Sequence, residues 1–359
     1  MLHAPAGPDA ARTGLFTMAD FDALLSRPAL PANTLFAIDA RRKLGPADYS
    51  LANGATDVLR VLDLFDEGAT VVFREADRHH PGLWRLTRAF ERALEAPAFA
   101  NIYYAPAQGQ SFPAHYDALD VFAVQLLGHK TWTLYPRIAA RPLRHEHCYG
   151  EAGFAAADAA EPPQAITLGP GDLLYVPRGV PHLVAAGSEP SLHISISVTP
   201  FTRHDLLRSQ LDALAAQAGD HRLPIPPAGA AADPTPATPL TLPAGADLAR
   251  LRHTALLAQV PVAIDQPLHA RAAARTLTPA SRLIADRTAP WFLDRAGDHL
   301  RLLGNGRALG FAPQAAAALD LALSGTAFRV GDLPGLDDDE ARRDLAGTLM
   351  ANGFAKTAP

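Results

Sequence analysis

The strongest constraint on the fold lies between Ala98 and Thr199, where short apolar segments alternate with glycine and proline turns. About eight such segments can be read: AFANIYYAP, SFPAHYD, DVFAVQLL, KTWTLYP, AITL, DLLYVP, HLVAAG and LHISISVT. Short strands at this density predict an antiparallel barrel or a double-sheet jelly roll. The mouth of such a fold can hold a metal ion and a small ligand.

The flanking regions have a different texture. Before the strands, MADFDALLSRP, ATDVLRVLDLF and LWRLTRAFERALE have the apolar spacing of amphipathic helices, which we expect to pack on the sheet. After them, proline and alanine dominate residues 218–245, a composition that predicts a linker or surface excursion. Helical segments on both sides of it could supply a dimerisation arm. Further on, Asn305-Gly306 predicts the turn of a β-hairpin, and short helices follow.

We therefore predict an α+β protein in three parts. Residues 1–200 are a strand-rich domain with N-terminal helices, residues 201–275 a helical dimerisation region, and residues 276–359 a winged-helix-like domain. From Pro313 to Pro359 there are four basic and seven acidic residues, and the acidic run DDDE opens the last helix. Because this charge would repel phosphate, we expect a structural or protein-contact role and no direct DNA binding.

Composition excludes several classes of protein. The chain has 359 residues, of which 48% are hydrophobic and 19% charged, as in a globular protein. Its net charge of −5 argues against non-specific nucleic-acid binding. No apolar run approaches the roughly 20 residues of a membrane helix, and the start lacks the pattern of a signal peptide. The single cysteine, Cys148, fits a reducing cytoplasm and reads as a loop residue; a Cys/His metal site there is the alternative.

A metal site is predicted from three residues on two separated segments. His115 and Asp117 are two positions apart, so on a strand they would share a face. His182 ends a second segment that begins at a Gly-Asp turn. Two imidazoles and one carboxylate with open positions form the facial triad of non-haem Fe(II) oxygenases. The alternative is a satisfied pair of polar residues near a turn, which does not explain His182.

This pattern resembles the two cupin motifs, with departures. Asp117 stands where metal cupins often have a second His, and an apolar residue near Val121 stands where they often have Glu. Ala186 replaces the Asn that often follows the last His. Three ligands leave three positions on an octahedral ion, enough for a bidentate 2-oxo acid and O2.

Cosubstrate residues are predicted on the neighbouring segments. Lys130 begins the segment KTWTLYP and could supply a cation for the distal carboxylate of a cosubstrate such as 2-oxoglutarate. A Lys at the start of a strand is, however, usually a solvated charge at the edge of a sheet. In LHISISVT, His193, Ser195 and Ser197 share one face, which we expect to look into the ligand funnel, while the other face packs on a second layer. Asn101 and Tyr103 likewise share one face of the segment AFANIYYAP.

The segments NIYYAP, FPAHYDALDVFAVQLLGHKTWTLYP, GDLLYVPRGVPH and LHISISVT resemble the JmjC-type ribosomal oxygenases. These Fe(II)- and 2-oxoglutarate-dependent enzymes hydroxylate one side chain of a ribosomal protein. The resemblance implies a double-stranded β-helix (the cupin/JmjC jelly roll) followed by a helical dimerisation region and a C-terminal winged helix. It is strong over residues 60–200 and weak after 245. By position it implies iron ligands at His115, Asp117 and His182, a 2-oxoglutarate salt bridge at Lys130, and a cosubstrate pocket lined by Asn101, Tyr103 and Ser197.

The predicted function is therefore Fe(II)- and 2-oxoglutarate-dependent hydroxylation of a His or Arg side chain in a ribosomal protein, by a cytoplasmic homodimer that uses O2. Some similar bacterial members have Arg at the position of Lys130, and Lys there matches the histidyl-hydroxylase branch better. Three alternatives stay open. The same chemistry could act on another peptide, such as a ribosomally made natural-product precursor. The site could remove a methyl group from N-methyl-lysine, or it could bind a metal without catalysis.

Overall fold

The computed structural model describes residues 2–7, 11–137, 139–146, 148–149, 162–217, 267–288, 291–296 and 299–359. The chain divides into two compact units, Met1–Pro200 and Phe201–Pro359. The predicted division into three parts stays a prediction. Most of the predicted dimerisation region, including the proline-rich segment 218–245 and the helical segment 247–260, lies outside the described residues.

The first unit contains three α-helices and twelve strands in its described part. The helices are α1 (Met18–Leu25), α2 (Val58–Asp66) and α3 (Pro81–Leu94). The strands are β1 (Leu2–Ala4), β2 (Leu35–Ile38), β3 (Thr70–Phe73), β4 (Ala98–Ala105), β5 (His115–Tyr116), β6 (Asp120–Leu127), β7 (Lys130–Leu134), β8 (Cys148–Tyr149), β9 (Gln164–Leu168), β10 (Leu173–Val176), β11 (His182–Ala186) and β12 (Ser191–Val198).

These strands form the two sheets of a jelly roll, as the sequence predicts. The larger sheet has the order β1-β10-β6-β12-β4-β3-β2, and the smaller has the order β8-β5-β11-β7-β9. All pairs are antiparallel. Val121 and Leu174 of the larger sheet share a buried cluster with Trp132 and Leu168 of the smaller one, so the sheets pack face to face.

The helices cover the other face of the larger sheet. Ile194 and Ile196 of β12 share a buried cluster with Phe21 of α1 and Leu64 of α2. The alternate residues of β12, His193 and Ser195, therefore face the interior between the sheets, as the alternation in LHISISVT predicts. Burying one face of β12 against the helices fixes its register, because a shift of one residue would exchange the two faces.

A tight turn at Gly128 connects β6 to β7 and sets where Lys130 begins its strand. Gly128 has a φ of +63°. A Cβ at this position would lie 2.3 Å from the carbonyl oxygen of Pro190. Only glycine therefore fits, because it accepts the left-handed conformation and leaves room for the neighbouring backbone.

In the described part of the second unit there are four helices and six strands. They are α4 (Arg203–Gln217), α5 (Pro267–Ala274), α6 (Ala316–Leu323), α7 (Asp339–Ala351), β13 (Arg282–Ala285), β14 (Trp291–Ala296), β15 (His299–Gly304), β16 (Arg307–Phe311), β17 (Phe328–Arg329) and β18 (Ala355–Thr357). The predicted hairpin is confirmed, because Asn305 and Gly306, both with positive φ, join β15 to β16. The winged-helix and dimerisation assignments stay predictions. None of the described helices combines the length and apolarity that a membrane span requires.

Candidate metal and cosubstrate site

The structure brings His115, Asp117 and His182 together between the two sheets. One potential ligand atom from each residue lies within 4.8 Å of the others. His115 on β5 pairs directly with His182 at the start of β11, and their ring centroids are 4.5 Å apart. The distance from His182 Nε2 to Asp117 Oδ2 is 3.8 Å. The predicted constellation therefore exists as a compact group that could hold one ion.

The reason for this geometry differs from the sequence argument in one respect. The segment SFPAHYD was predicted as a strand, but β5 contains only His115 and Tyr116. Asp117 lies in the loop that follows, and strand alternation does not place it. Its carbonyl oxygen instead accepts a 2.9 Å hydrogen bond from the N–H of Gly179. Gly179 has a φ of +77°, and a Cβ there would lie 2.1 Å from the carbonyl oxygen of Ala139.

Backbone carbonyl groups orient both imidazoles. His115 Nδ1 lies 2.9 Å from the carbonyl oxygen of Pro113, and His182 Nδ1 lies 3.1 Å from that of Val180. An Nδ1 that donates to a carbonyl group carries the proton of a neutral ring, and Nε2 is then the nitrogen that can bind a metal. Burial, with a smaller contribution from His115, lowers the pKa of His182 to about 4. The ring of His182 is consequently neutral at physiological pH, as metal ligation requires.

A cavity of about 340 Å³ joins the metal-ligand cluster to the predicted cosubstrate residues. Asn101, Tyr103 and Lys130 line it together with the three ligand candidates. Ser197 is buried but is not part of the lining; Ser195 and His193 of the same strand are. Ser197 pairs with Phe99 and Val121, and the larger side chains of those two residues line the cavity at this level.

Lys130 lies in the interior, which excludes the alternative of a solvated edge charge. Its strand β7 runs between β11 and β9, and the residue is 2% exposed. Its Nζ lies 2.9 Å from His193 Nδ1. Burial lowers the pKa of Lys130 from 10.5 to about 7. A cation in this position has a strong preference for a bound anion.

The two β4 residues are fixed by neighbours from other elements. The side-chain oxygen of Asn101 accepts a 2.9 Å hydrogen bond from the N–H of Glu75, which has a φ of +51°. The amide NH2 group of Asn101 can therefore donate to a ligand. The ring of Tyr103 stacks on His193, with centroids 4.9 Å apart and planes 8° apart.

Several lining residues were not predicted. Trp132 faces the cavity two positions after Lys130, so strand alternation could have found it. Phe36, Arg74 and Glu75 come from the N-terminal region, which the sequence suggested was only structural. No local pattern marks them, because their place at the cavity depends on how β3 pairs with β4 and β2 with β3.

Comparison with known proteins identifies the domain. Residues 73–206 match the sequence model of the JmjC domain. Mouse ribosomal oxygenase 2 is 31% identical over 189 residues, or 51% of this chain and 38% of that protein. The bifunctional lysine-specific demethylase and histidyl-hydroxylase NO66 of Dictyostelium discoideum is 38% identical over 135 residues, or 37% of this chain and 26% of that protein. An X-ray structure of E. coli YcfD superposes with a TM-score of 0.44 at 20% identity, covering 81% of this chain and 79% of that one.

The two-sheet fold, the His-Asp-His cluster and the sequence match identify a JmjC domain at residues 73–206. The curated proteins to which this chain is similar include ones named ribosomal oxygenase. The chain spans 26% and 38% of the length of the two relatives above, so the activities in their names describe those proteins.

Proposed function

We propose that this chain is an Fe(II)- and 2-oxoglutarate-dependent oxygenase that hydroxylates a side chain of a ribosomal protein. The proposal rests above all on one observation. The three metal-ligand candidates and a fully buried lysine line the same cavity. A metal-binding site without catalysis would not need the lysine, and a dicarboxylate site without oxidation would not need the ligand cluster.

The donor set fits a ferrous ion. Two neutral imidazoles and one carboxylate suit divalent iron better than soft-ligand metals, and three ligands leave positions open. When bound with 2-oxoglutarate and O2, such an ion supplies oxidative hydroxylation and releases succinate and CO2. The chain's own contribution is to orient His115 and His182 through their backbone acceptors and to place them in one cavity with Lys130.

The cosubstrate residues follow from position in the same cavity. Lys130 is proposed to bind the distal carboxylate of 2-oxoglutarate, because no carboxylate of the described residues pairs with this buried ammonium, which therefore favours an anion. The amide of Asn101 and the hydroxyl of Tyr103 are proposed as further donors. Ser195 occupies the place in the lining that the sequence assigned to Ser197.

The substrate is proposed from the relatives. Proteins named ribosomal oxygenase and histidyl-hydroxylase are similar to the part of the chain that holds the site. A His or an Arg side chain of a ribosomal protein remains the proposed target. A cytoplasmic homodimer, as expected from the sequence, also remains a proposal.

The test has two parts. Full-length protein reconstituted anaerobically with Fe(II) should form succinate from 2-oxoglutarate once O2 is admitted. His115→Ala should abolish this, whereas His129→Ala, a change at an exposed histidine outside the cavity, should not. Intact-mass comparison of ribosomal proteins from wild-type and deletion cells should then show one protein lacking a single oxygen atom in the deletion strain. No succinate from the reconstituted wild type would refute the oxygenase proposal.

A further inference from the structure

At the inner end of the cavity, Lys130 has an unusual partner. The atom next to its ammonium is His193 Nδ1, at 2.9 Å, and both residues are buried. Within the part of the chain that the structure describes, no carboxylate lies within salt-bridge distance of Lys130 Nζ. A buried ammonium ordinarily requires hydrogen-bond acceptors for its three N–H groups. Here a single neutral side chain provides one of them.

Rings on both sides hold His193 in place. Tyr103 on β4 stacks on it, and Trp132 on β7 meets it edge-on, with centroids 6.0 Å apart and planes 80° apart. His193 itself lies on β12, a central strand between β4 and β6. Packing therefore restrains the plane of the imidazole ring.

The protonation state agrees with this geometry. Burial and the adjacent Lys130 charge both lower the pKa of His193 well below its ordinary value. The imidazole is consequently neutral, and Nδ1 accepts the hydrogen bond while the proton resides on Nε2. A protonated imidazole at this distance would repel the ammonium.

We propose that His193 is a positioning residue, whose unprotonated Nδ1 accepts a hydrogen bond from Lys130 and fixes the ammonium where the distal carboxylate of a small 2-oxo dicarboxylic acid binds. This inference rests on the proposed function. Lysine is a point charge on a flexible four-carbon stem, so its direction must come from a partner. One N–H held by His193 leaves the other two for a carboxylate.

The test compares two ligands and three substitutions. Binding of 2-oxoglutarate and of pyruvate is measured on the full-length, Fe(II)-loaded protein under anaerobic conditions, by calorimetry and by titration of visible absorption. Pyruvate has the same 2-oxo acid end but no distal carboxylate, so it does not use Lys130. His193→Asn places an acceptor near the position of Nδ1, and His193→Gln places it near that of Nε2. His193→Leu removes the acceptor.

A hydrogen bond between an ammonium and a bound carboxylate typically corresponds to about tenfold or more in affinity, and a displaced ammonium would lose it. His193→Leu and His193→Gln should therefore raise the Kd for 2-oxoglutarate at least about tenfold and leave that for pyruvate within about threefold. His193→Asn should keep both within about threefold. If His193→Leu does not fold, the comparison of Asn with Gln decides.

The inference would be overturned if His193→Asn and His193→Gln weakened 2-oxoglutarate binding equally, or if pyruvate binding weakened as much as 2-oxoglutarate binding. His193 would then be a packing residue. Wild-type protein that binds pyruvate as tightly as 2-oxoglutarate would also overturn it, while leaving the proposed oxygenase intact. Wild-type protein that binds neither acid would instead refute the proposed function, and the inference with it.

Discussion

Lys130 should lower the stability of the unliganded protein, and replacing it with Met should raise that stability. The group has a pKa of 10.5 when exposed and about 7 in the fold. From these values, the free energy of unfolding at pH 7 is lower by about 4 kcal/mol than with an unperturbed lysine. Local relaxation around the ammonium reduces this figure, so we expect Lys130→Met to add about 2 to 4 kcal/mol. Met retains most of the aliphatic stem and therefore most of the packing.

The sign of the pH dependence is fixed by the direction of the shift. Because the folded pKa is depressed, the unfolded chain binds more protons between pH 7 and pH 10.5, and stability rises with pH in that window. Below pH 7 the buried charge of Lys130 lowers the free energy of unfolding by its full amount. At pH 9 the difference between Lys130→Met and wild type should fall to about half its value at pH 7.

The assay is urea unfolding without metal or cosubstrate at pH 6, 7 and 9. Trp84 and Trp132 lie in the N-terminal unit and report its unfolding by fluorescence. Lys43→Met, at an exposed lysine, is the matched control and should change little. A Lys130→Met protein that is less stable than wild type, or a difference that does not shrink at pH 9, would refute the reasoning. Lys130 would then be a structural residue.

Three further predictions follow from the same structure. Lys130→Ala should raise the Kd for 2-oxoglutarate at least about thirtyfold by loss of the buried charge pair, with Fe(II) affinity near normal; equal loss of both in calorimetry would count against the anchor. Gly128→Ala should lower the free energy of unfolding by at least about 1 kcal/mol, because its Cβ meets the Pro190 carbonyl, whereas Gly45→Ala, with open space around it, should not. Removal of the predicted dimerisation region, 201–275, should convert a dimer to a monomer in light scattering; an active, stable dimer after truncation would contradict that assignment.

The sequence predicted most of the fold, because the relevant signals are local. The Asn305-Gly306 hairpin and the alternation in β12 each depend on neighbouring residues, and both are present. The ligand candidates were found by spacing, yet Asp117 is placed by a hydrogen bond from Gly179, which lies 62 positions later. Spacing alone could not reveal that contact.

The inner cavity was less accessible to sequence reasoning. The environment of Lys130 depends on His193, a partner 63 positions away on the opposite sheet. Nothing near Lys130 in the sequence separates a buried lysine from a solvated one. Ser195 lines the cavity, whereas the sequence assigned Ser197, which lies two positions further along the same face of the strand. The alternation pattern does not distinguish the two serines, because the difference depends on the larger side chains of Phe99 and Val121 beside Ser197.

The shortness of β5 has a consequence for how the protein matures. Two residues give His115 little backbone pairing of its own, and its partner His182 begins a strand 67 positions later in the chain. A metal ion bound by both imidazoles would link two segments that are far apart in the sequence. Binding of iron and ordering of residues 109–119 would then be coupled, and the resistance of this segment to proteases should increase with iron concentration.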